Sequence, residues 1–323
     1  MVFKDAGKPA DIFAVFQRHG ANCVRLRLFV QPDGKAGVVN DLAYTLDLAK
    51  RVKAAGLLFC LDFHYSDTWA DPGHQSTPAR WQGLALAPLA DHLRDYTAEV
   101  IRAFEDAGIP PDVVQIGNEI TNGLLWPTGK IAGEGVPLGG FDRVAALLRA
   151  GVAGVRQGVG GRPMPRIMLH IDGGENATKA RWFFDNITRR GVPFDLIGLS
   201  YYPFYNGTLE DLRRTLDFVA RTYRKPVVVA ETAYLQTEDP WMKSSERRGM
   251  SFPLTPAGQK DFLAALIQTV RATPDGLGAG VLYWYPESVP VRDPAVNNWY
   301  GGGAALFDRH GSALPALAAF GQP

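Results

Sequence analysis

A chain of 323 residues with 46% hydrophobic and 21% charged residues has the composition of a folded globular protein with a sizeable core, not of a disordered segment. Its 34 basic and 33 acidic residues are interspersed, which excludes the basic stripe a nucleic-acid backbone requires, and no run reaches the ~18 apolar residues of a membrane span. Cys23 and Cys60, each in an apolar run, exclude a disulfide framework and read as buried free thiols; residues 1–5 lack the form of a secretory signal.

In chain order, short apolar runs alternate with longer amphipathic segments, the pattern of βα units around a parallel sheet. Helices are expected over 10–19, 41–55, 90–107, 141–157, 177–190, 209–223 and 256–272, and strands near 23–29, 57–63, 113–118, 166–171, 195–200, 226–230 and 280–285. Asp41 is placed to cap the second helix and Gly56 to stop it, and Thr255-Pro256 supplies a cap followed by proline at the first turn of the last. The reading is one α/β domain over 1–323, a (β/α)8 barrel. The strand count is seven, because the first confident element is already a helix. The first barrel strand is therefore expected to be absent, through a late start codon or trimming, unless Val2 and Phe3 or a terminal segment fills the gap.

Polar residues crowd the C-terminal ends of the apolar runs, where barrels build their sites. Run 57–61 opens into Asp62-Phe63-His64-Tyr65-Ser66-Asp67-Thr68-Trp69-Ala70-Asp71-Pro72-Gly73. Run 113–117 ends in Asn118-Glu119, and run 226–230 in Glu231-Thr232. Two glutamates at the tips of different strands match the need of glycosidic cleavage for one acid and one carboxylate, with retention or inversion set by their separation. Trp69, Trp126, Tyr201, Tyr202 and Trp284 follow strand ends and suit the apolar faces of sugar rings, although core packing is an equal alternative for any one of them. Trp182, on a helix, reads as packing. Arg25 and Arg27 share one strand face; Arg27, nearer the strand end, is expected to hold the nucleophilic carboxylate ionised, and Arg25 suits a structural ion pair equally well.

Together with Gly20 to Arg27, Gly123 to Pro127, Ile197 to Pro203, Val228 to Tyr234 and Thr255 to Gln259, these segments resemble the family 53 glycoside hydrolases, the endo-β-1,4-galactanases of the retaining clan A. The resemblance implies attack by Glu231 on the anomeric carbon of β-1,4-galactan, with Glu119 as acid and then base. It implies that Asn118 binds the 2-hydroxyl. Arg27, His64, His170, Tyr202 and Trp284 are expected around the cleaved sugar, with Trp69 and Asp71 extending the cleft, and Asp62, Trp126 and Tyr201 are expected among the substrate-binding residues. It implies a polysaccharide substrate, a monomer, no cofactor, no nucleic acid or membrane partner, and secretion. Two departures stand out. Tyr285 replaces the glutamate usual in Tyr-Trp-Glu-Pro, which bears on substrate length or linkage, and the loop 234–252 lacks the spacing some relatives use for calcium, so no metal is expected there. The rival readings are another clan A β-glycanase, a barrel that binds galactan without cleaving it, and a metal-dependent hydrolase using Asp62, His64 and His170, which has no supporting ligand spacing.

Overall fold

The computed structural model describes residues 1–35, 37–238, 249–289 and 299–321. Seven strands, β1 (Cys23–Leu28), β2 (Leu58–Phe63), β3 (Val113–Ile116), β4 (Arg166–Ile171), β5 (Leu196–Ser200), β6 (Val227–Thr232) and β7 (Gly278–Tyr283), form one parallel sheet in chain order. Helix α1 (Ile12–Arg18) leads into β1. The crossovers then carry α2 (Leu42–Ala54), α3 (Leu86–Asp106), α4 (Gly140–Val159), α5 (Ala177–Arg189), α6 (Leu209–Tyr223) and α7 (Pro256–Arg271). This is (β/α)8 barrel architecture with seven strands in the parallel sheet among the described residues.

Local chemistry explains the helix boundaries. The Asp41 carboxylate accepts from Tyr44 N and caps α2, which stops at Gly56 in a left-handed conformation (φ 74°) open to glycine at little cost. Thr255 caps α7 through Gly258 N, and Thr208 with Asp211 closes a capping box on α6. Helix α3 starts four residues earlier than expected, at Leu86, because Pro88 is accommodated in its first turn instead of preceding it.

Strand alternation sorts the core into two layers. Outward residues such as Phe59, Leu61, Val114, Leu199 and Val229 are buried in the main core cluster, which includes the helix residues facing the sheet. A separate cluster of Cys60, Met168, Leu196 and Ala230 is joined by Cys23, Val113 and Val228, all of the opposite strand parity. Both cysteines are free thiols, Cys60 buried and Cys23 partly so.

Strands β1 and β7 are the two ends of the sheet, with no ladder between them among the described residues. Beside them lies a cleft of about 1250 Å³, bounded by both strands and by Met1 to Phe3 and reaching Cys60 and Met168. The alternative that Val2 and Phe3 fill this gap as a strand is not met. Lys4 bridges to Ser312, and the Phe3 ring lies 4.7 Å from that of Phe307, so the opening segment is drawn to the C-terminal segment instead.

Candidate active site

The polar residues of the inward parity form the upper layer of the barrel. Arg25 is at its centre, its side chain 5% exposed. Its guanidinium lies 2.9 Å from Asp62 Oδ2 and donates to Glu231 Oε1 at 3.0 Å, Gln115 Oε1 at 2.9 Å and Asn118 Oδ1 at 2.7 Å. Burial works against the cation, but Asp62 and Glu231 outweigh it and hold its pKa above the ordinary arginine value. Asp62, wholly buried, would be raised by that burial; Arg25 and His64 reverse the effect and keep it below the usual carboxylate range.

Glu231 reaches this layer through a bulge. On β6, Val228 and Ala230 take the inward parity, so simple alternation would turn Glu231 outward with Val229. The register advances by two residues on β6 for one on β5, from Val229 opposite Leu199 to Glu231 opposite Ser200, and the irregularity re-aims the carboxylate to the interior. There Oε1 takes Arg25 and Oε2 takes the Tyr202 hydroxyl at 2.8 Å. Burial raises its pKa, with Arg25 and Tyr202 opposing.

Glu119 arrives by a different distortion. Gly117 (φ 82°) turns the chain at the end of β3, and Glu119 itself adopts φ 46°, ψ 49°, a left-handed conformation costing a side-chain-bearing residue about 1–2 kcal/mol. A Cβ on Gly117 would meet Ile120 Cγ2 at 2.6 Å, so that position has no room for one. Glu119 as a residue is partly buried, and its carboxyl accepts from Ser200 Oγ at 2.6 Å. Removal from water and then the Glu231 charge push its pKa well up, against Ser200. No cation is bonded to Glu119 among the described residues. The two glutamates thus differ: one is clamped by a guanidinium and a phenol, the other holds its proton more tightly. Such a division supplies one nucleophilic carboxylate and one acid.

Around the pair, Asn118 gives its amide N–H to Ala70 O and takes Arg25 on its oxygen, while Gln75 ties the Asn118 carbonyl to Asp71 O. His170, fully buried, is held neutral by burial and the nearby Arg25. His64 accepts from Ala70 N at Nδ1 and faces Asp62 at 3.1 Å through Nε2. Trp69 and Trp284 meet edge to face with centroids 6.1 Å apart. Trp126, partly exposed, donates to Asn122 O and has the Lys130 ammonium over its ring. Asp71 is half-exposed and binds His74.

Three expectations need correction. The carboxylate-holding arginine is Arg25. Arg27 is paired in register with Asp62, one step higher than Arg25, and its guanidinium lies over Trp69 at 4.7 Å and Tyr285 at 5.2 Å. Tyr201 has the opposite strand parity from Ser200 and Tyr202; it is wholly buried in the main core cluster, with its hydroxyl on Gly207 O, and does not line the site. Asp62 and His64 are sealed at 0% and 1% exposure, so they support Arg25 and the loop bearing Ala70 instead of presenting surface to a substrate. Two functional residues were not anticipated: Gln115, which links Arg25 to Asp62, and Ser200. Both stand at inward parity in apolar strands, a signal that strand alternation carries. Trp182, read as packing, stacks edge to face on Phe141.

No group of three or more potential metal ligands occurs among the described residues. The expectation of no calcium in loop 234–252 falls largely on residues 239–248, outside those described.

The glycosyl hydrolase family 53 model matches residues 2–320. A Niallia circulans protein known as the uncharacterized protein in the bgaB 5′ region is 40% identical over 324 residues, covering 97% of this chain and 86% of that protein. A probable arabinogalactan endo-β-1,4-galactanase A of Aspergillus tubingensis is 40% identical over 288 residues, covering 87% and 78%. A solved chain from a study of two fungal β-1,4-galactanases superposes with a TM-score of 0.86 at 32% identity, over 100% of this chain and 94% of that one. With a match across almost its whole length and a shared architecture, the chain belongs to glycosyl hydrolase family 53.

Proposed function

We propose that this protein is an endo-acting, retaining β-1,4-galactanase that cleaves galactan and type I arabinogalactan with Glu231 as nucleophile and Glu119 as acid/base. The observation that carries the reading is the asymmetry of the carboxyl pair: Glu231 is clamped by Arg25 and Tyr202, whereas Glu119 has no cation among the described residues and keeps its proton more tightly. The relatives named arabinogalactan endo-β-1,4-galactanases support the substrate. In the first step Glu231 forms a bond to the anomeric carbon, the glycosidic bond breaks, and the departing oxygen takes the Glu119 proton. Water then gives its proton to Glu119 while its oxygen displaces Glu231. Asn118 is assigned to the 2-hydroxyl, and the partly exposed rings of Trp69, Trp126 and Trp284 to the sugar faces. Tyr285, beside Arg27, bears on the length or linkage of chain accepted.

The protein acts as a monomer and outside the cell, where a polymeric substrate is met; no helix among the described residues is long and apolar enough to cross a membrane. The test is incubation with galactan, xylan, mannan and cellulose, following products by chromatography and the anomeric configuration of the first product by NMR. Galactan oligomers released with β configuration are expected, and Glu231→Ala must abolish them. Release from xylan or mannan alone would move the protein to another β-glycanase specificity, and binding of galactan without cleavage would make it a lectin-like barrel.

A further inference from the structure

Glu119 is met from below by a directed chain of hydrogen bonds that neither residue of the carboxyl pair explains. Ser200 Oγ donates to Glu119 Oε1 at 2.6 Å, and His170 Nε2 lies 2.8 Å from the same Oγ. Ser200 and His170 are 1% and 0% exposed, so this chain is shut off from bulk solvent. Its direction follows from the other ring nitrogen. His170 Nδ1 has three N–H groups near it, Arg25 Nη2 at 3.5 Å, Gln115 Nε2 at 3.2 Å and the backbone N–H of Glu119 at 3.4 Å. Arg25 Nη2 spends its hydrogens on Asn118 Oδ1 and Asp62 Oδ2, and Gln115 Nε2 on Asp62 Oδ1 and Gly117 O, so the donor left to Nδ1 is the Glu119 amide, which has no acceptor form and is aimed at Nδ1 as an acceptor. Asn118 Oδ1, 3.0 Å from Nδ1, is turned to the shorter bond from Arg25 at 2.7 Å. With the imidazole neutral, the single ring proton is on Nε2 and is given to Ser200, whose own proton is then committed to Glu119 Oε1.

We propose that Ser200, oriented by His170, is the positioning residue that fixes which oxygen of Glu119 carries the transferable proton. Because Oε1 is held as an acceptor, the proton resides on Oε2, to which no described residue donates. That oxygen remains to serve the glycosidic oxygen as acid and the incoming water as base. Ser200 and His170 exchange no proton; they hold theirs throughout. The inference rests on the reading of Glu119 as acid/base. Its charged surroundings are Glu231 on β6, Asp172 after β4 and Asp71 after β2, all of which disfavour the anion; Ser200 favours it.

The test compares the unmodified protein, Ser200→Ala, Ser200→Thr and Glu119→Gln on galactan and on a 2,4-dinitrophenyl β-galactoside, whose leaving group needs no acid. With Ser200→Ala, kcat/KM on galactan falls about tenfold or more, the worth of one hydrogen bond to an ionised group. Its alkaline limb moves up by about one pH unit, because a donor to the carboxylate has been lost. Glycosylation by the dinitrophenyl substrate stays within about twofold of the unmodified protein, and Ser200→Thr restores the galactan rate and limb. An unmoved limb, or one that moves down because the chain runs from Glu119 toward His170, overturns the proposal. A Glu119→Gln protein that keeps its galactan rate and alkaline limb overturns the acid/base reading instead. Independently of any variant, the ¹⁵N shifts of His170 in the unmodified protein are expected to show the Nε2–H tautomer, and an Nδ1–H tautomer overturns the direction assigned.

Discussion

Replacing Arg25 by alanine separates the two arginines of β1 most sharply. One guanidinium serves Asp62 and Glu231, both buried, and also fills the acceptors of Gln115 and Asn118. Removing one partner of a buried ion pair costs about 3–5 kcal/mol, and with two carboxylates stranded the upper end applies. Against a total stability of about 5–15 kcal/mol this is a large loss. Its pH dependence follows from the two carboxylates. Asp62 is held below its unfolded pKa, so its contribution is present above ~3.9 and is lost as pH falls through the folded value. Glu231 is raised, so its contribution is present below its unfolded pKa of ~4.3 and is lost as pH rises through the folded value; without Arg25 it rises further. Both effects make the deficit of Arg25→Ala larger near neutrality than near pH ~5. Arg27 has no carboxylate within ion-pair distance among the described residues and lies over aromatic rings, while its charge acts from further off on the buried Glu287, so Arg27→Ala costs about 0.5–2 kcal/mol with a smaller rise toward neutrality than Arg25→Ala. Urea denaturation of both variants and the unmodified protein at the two pH values reads the difference. Equal losses for the two arginines, or an Arg25→Ala deficit below about 1 kcal/mol, would refute the reasoning.

Gly117→Ala must place a Cβ at φ 82° within 2.6 Å of Ile120 Cγ2; a loss of about 1–3 kcal/mol by thermal melting, with a fall in kcat from displacement of Glu119, is expected. Tyr202→Phe removes a donor to the Glu231 carboxylate, so the acidic limb of the kcat/KM profile moves up in pH and kcat on galactan drops at least tenfold. Glu119→Gln removes a carboxyl whose folded pKa is raised, so the stabilisation it contributes below its unfolded pKa is lost as pH rises. The variant should therefore be more stable than the unmodified protein by about 0.5–2 kcal/mol at neutral pH in urea melts, and no more stable near pH ~4.

The strands, their order and the two glutamates were legible because apolar runs switch abruptly to polar residues at the strand ends. Asp41 and Thr255 were legible as caps because their side chains act on backbone groups only three residues away. The errors concern depth and parity. Alternation puts Arg25 and Arg27 on the same face, but height in the barrel decides which one meets a carboxylate, and height depends on the stagger against β2. Tyr201 and Tyr202 are adjacent and chemically alike, and only the inward parity of Ser200 separates them. Glu231 faces the interior against what alternation alone would give, since the bulge after Val229 comes from sheet geometry and leaves no mark in Val-Val-Val-Ala-Glu.

Among the described residues β1 is laddered on one side only, so the backbone pairing of the strand that delivers Arg25 is with β2. The charge that steadies Glu231 therefore hangs from the end of the sheet most easily loosened by heat or denaturant. Fraying there would withdraw a counter-ion before it breached the main core. Catalytic failure should accordingly precede loss of secondary structure on heating, and amide exchange across residues 23–28 should report the approach to it sooner than exchange within β4 or β5.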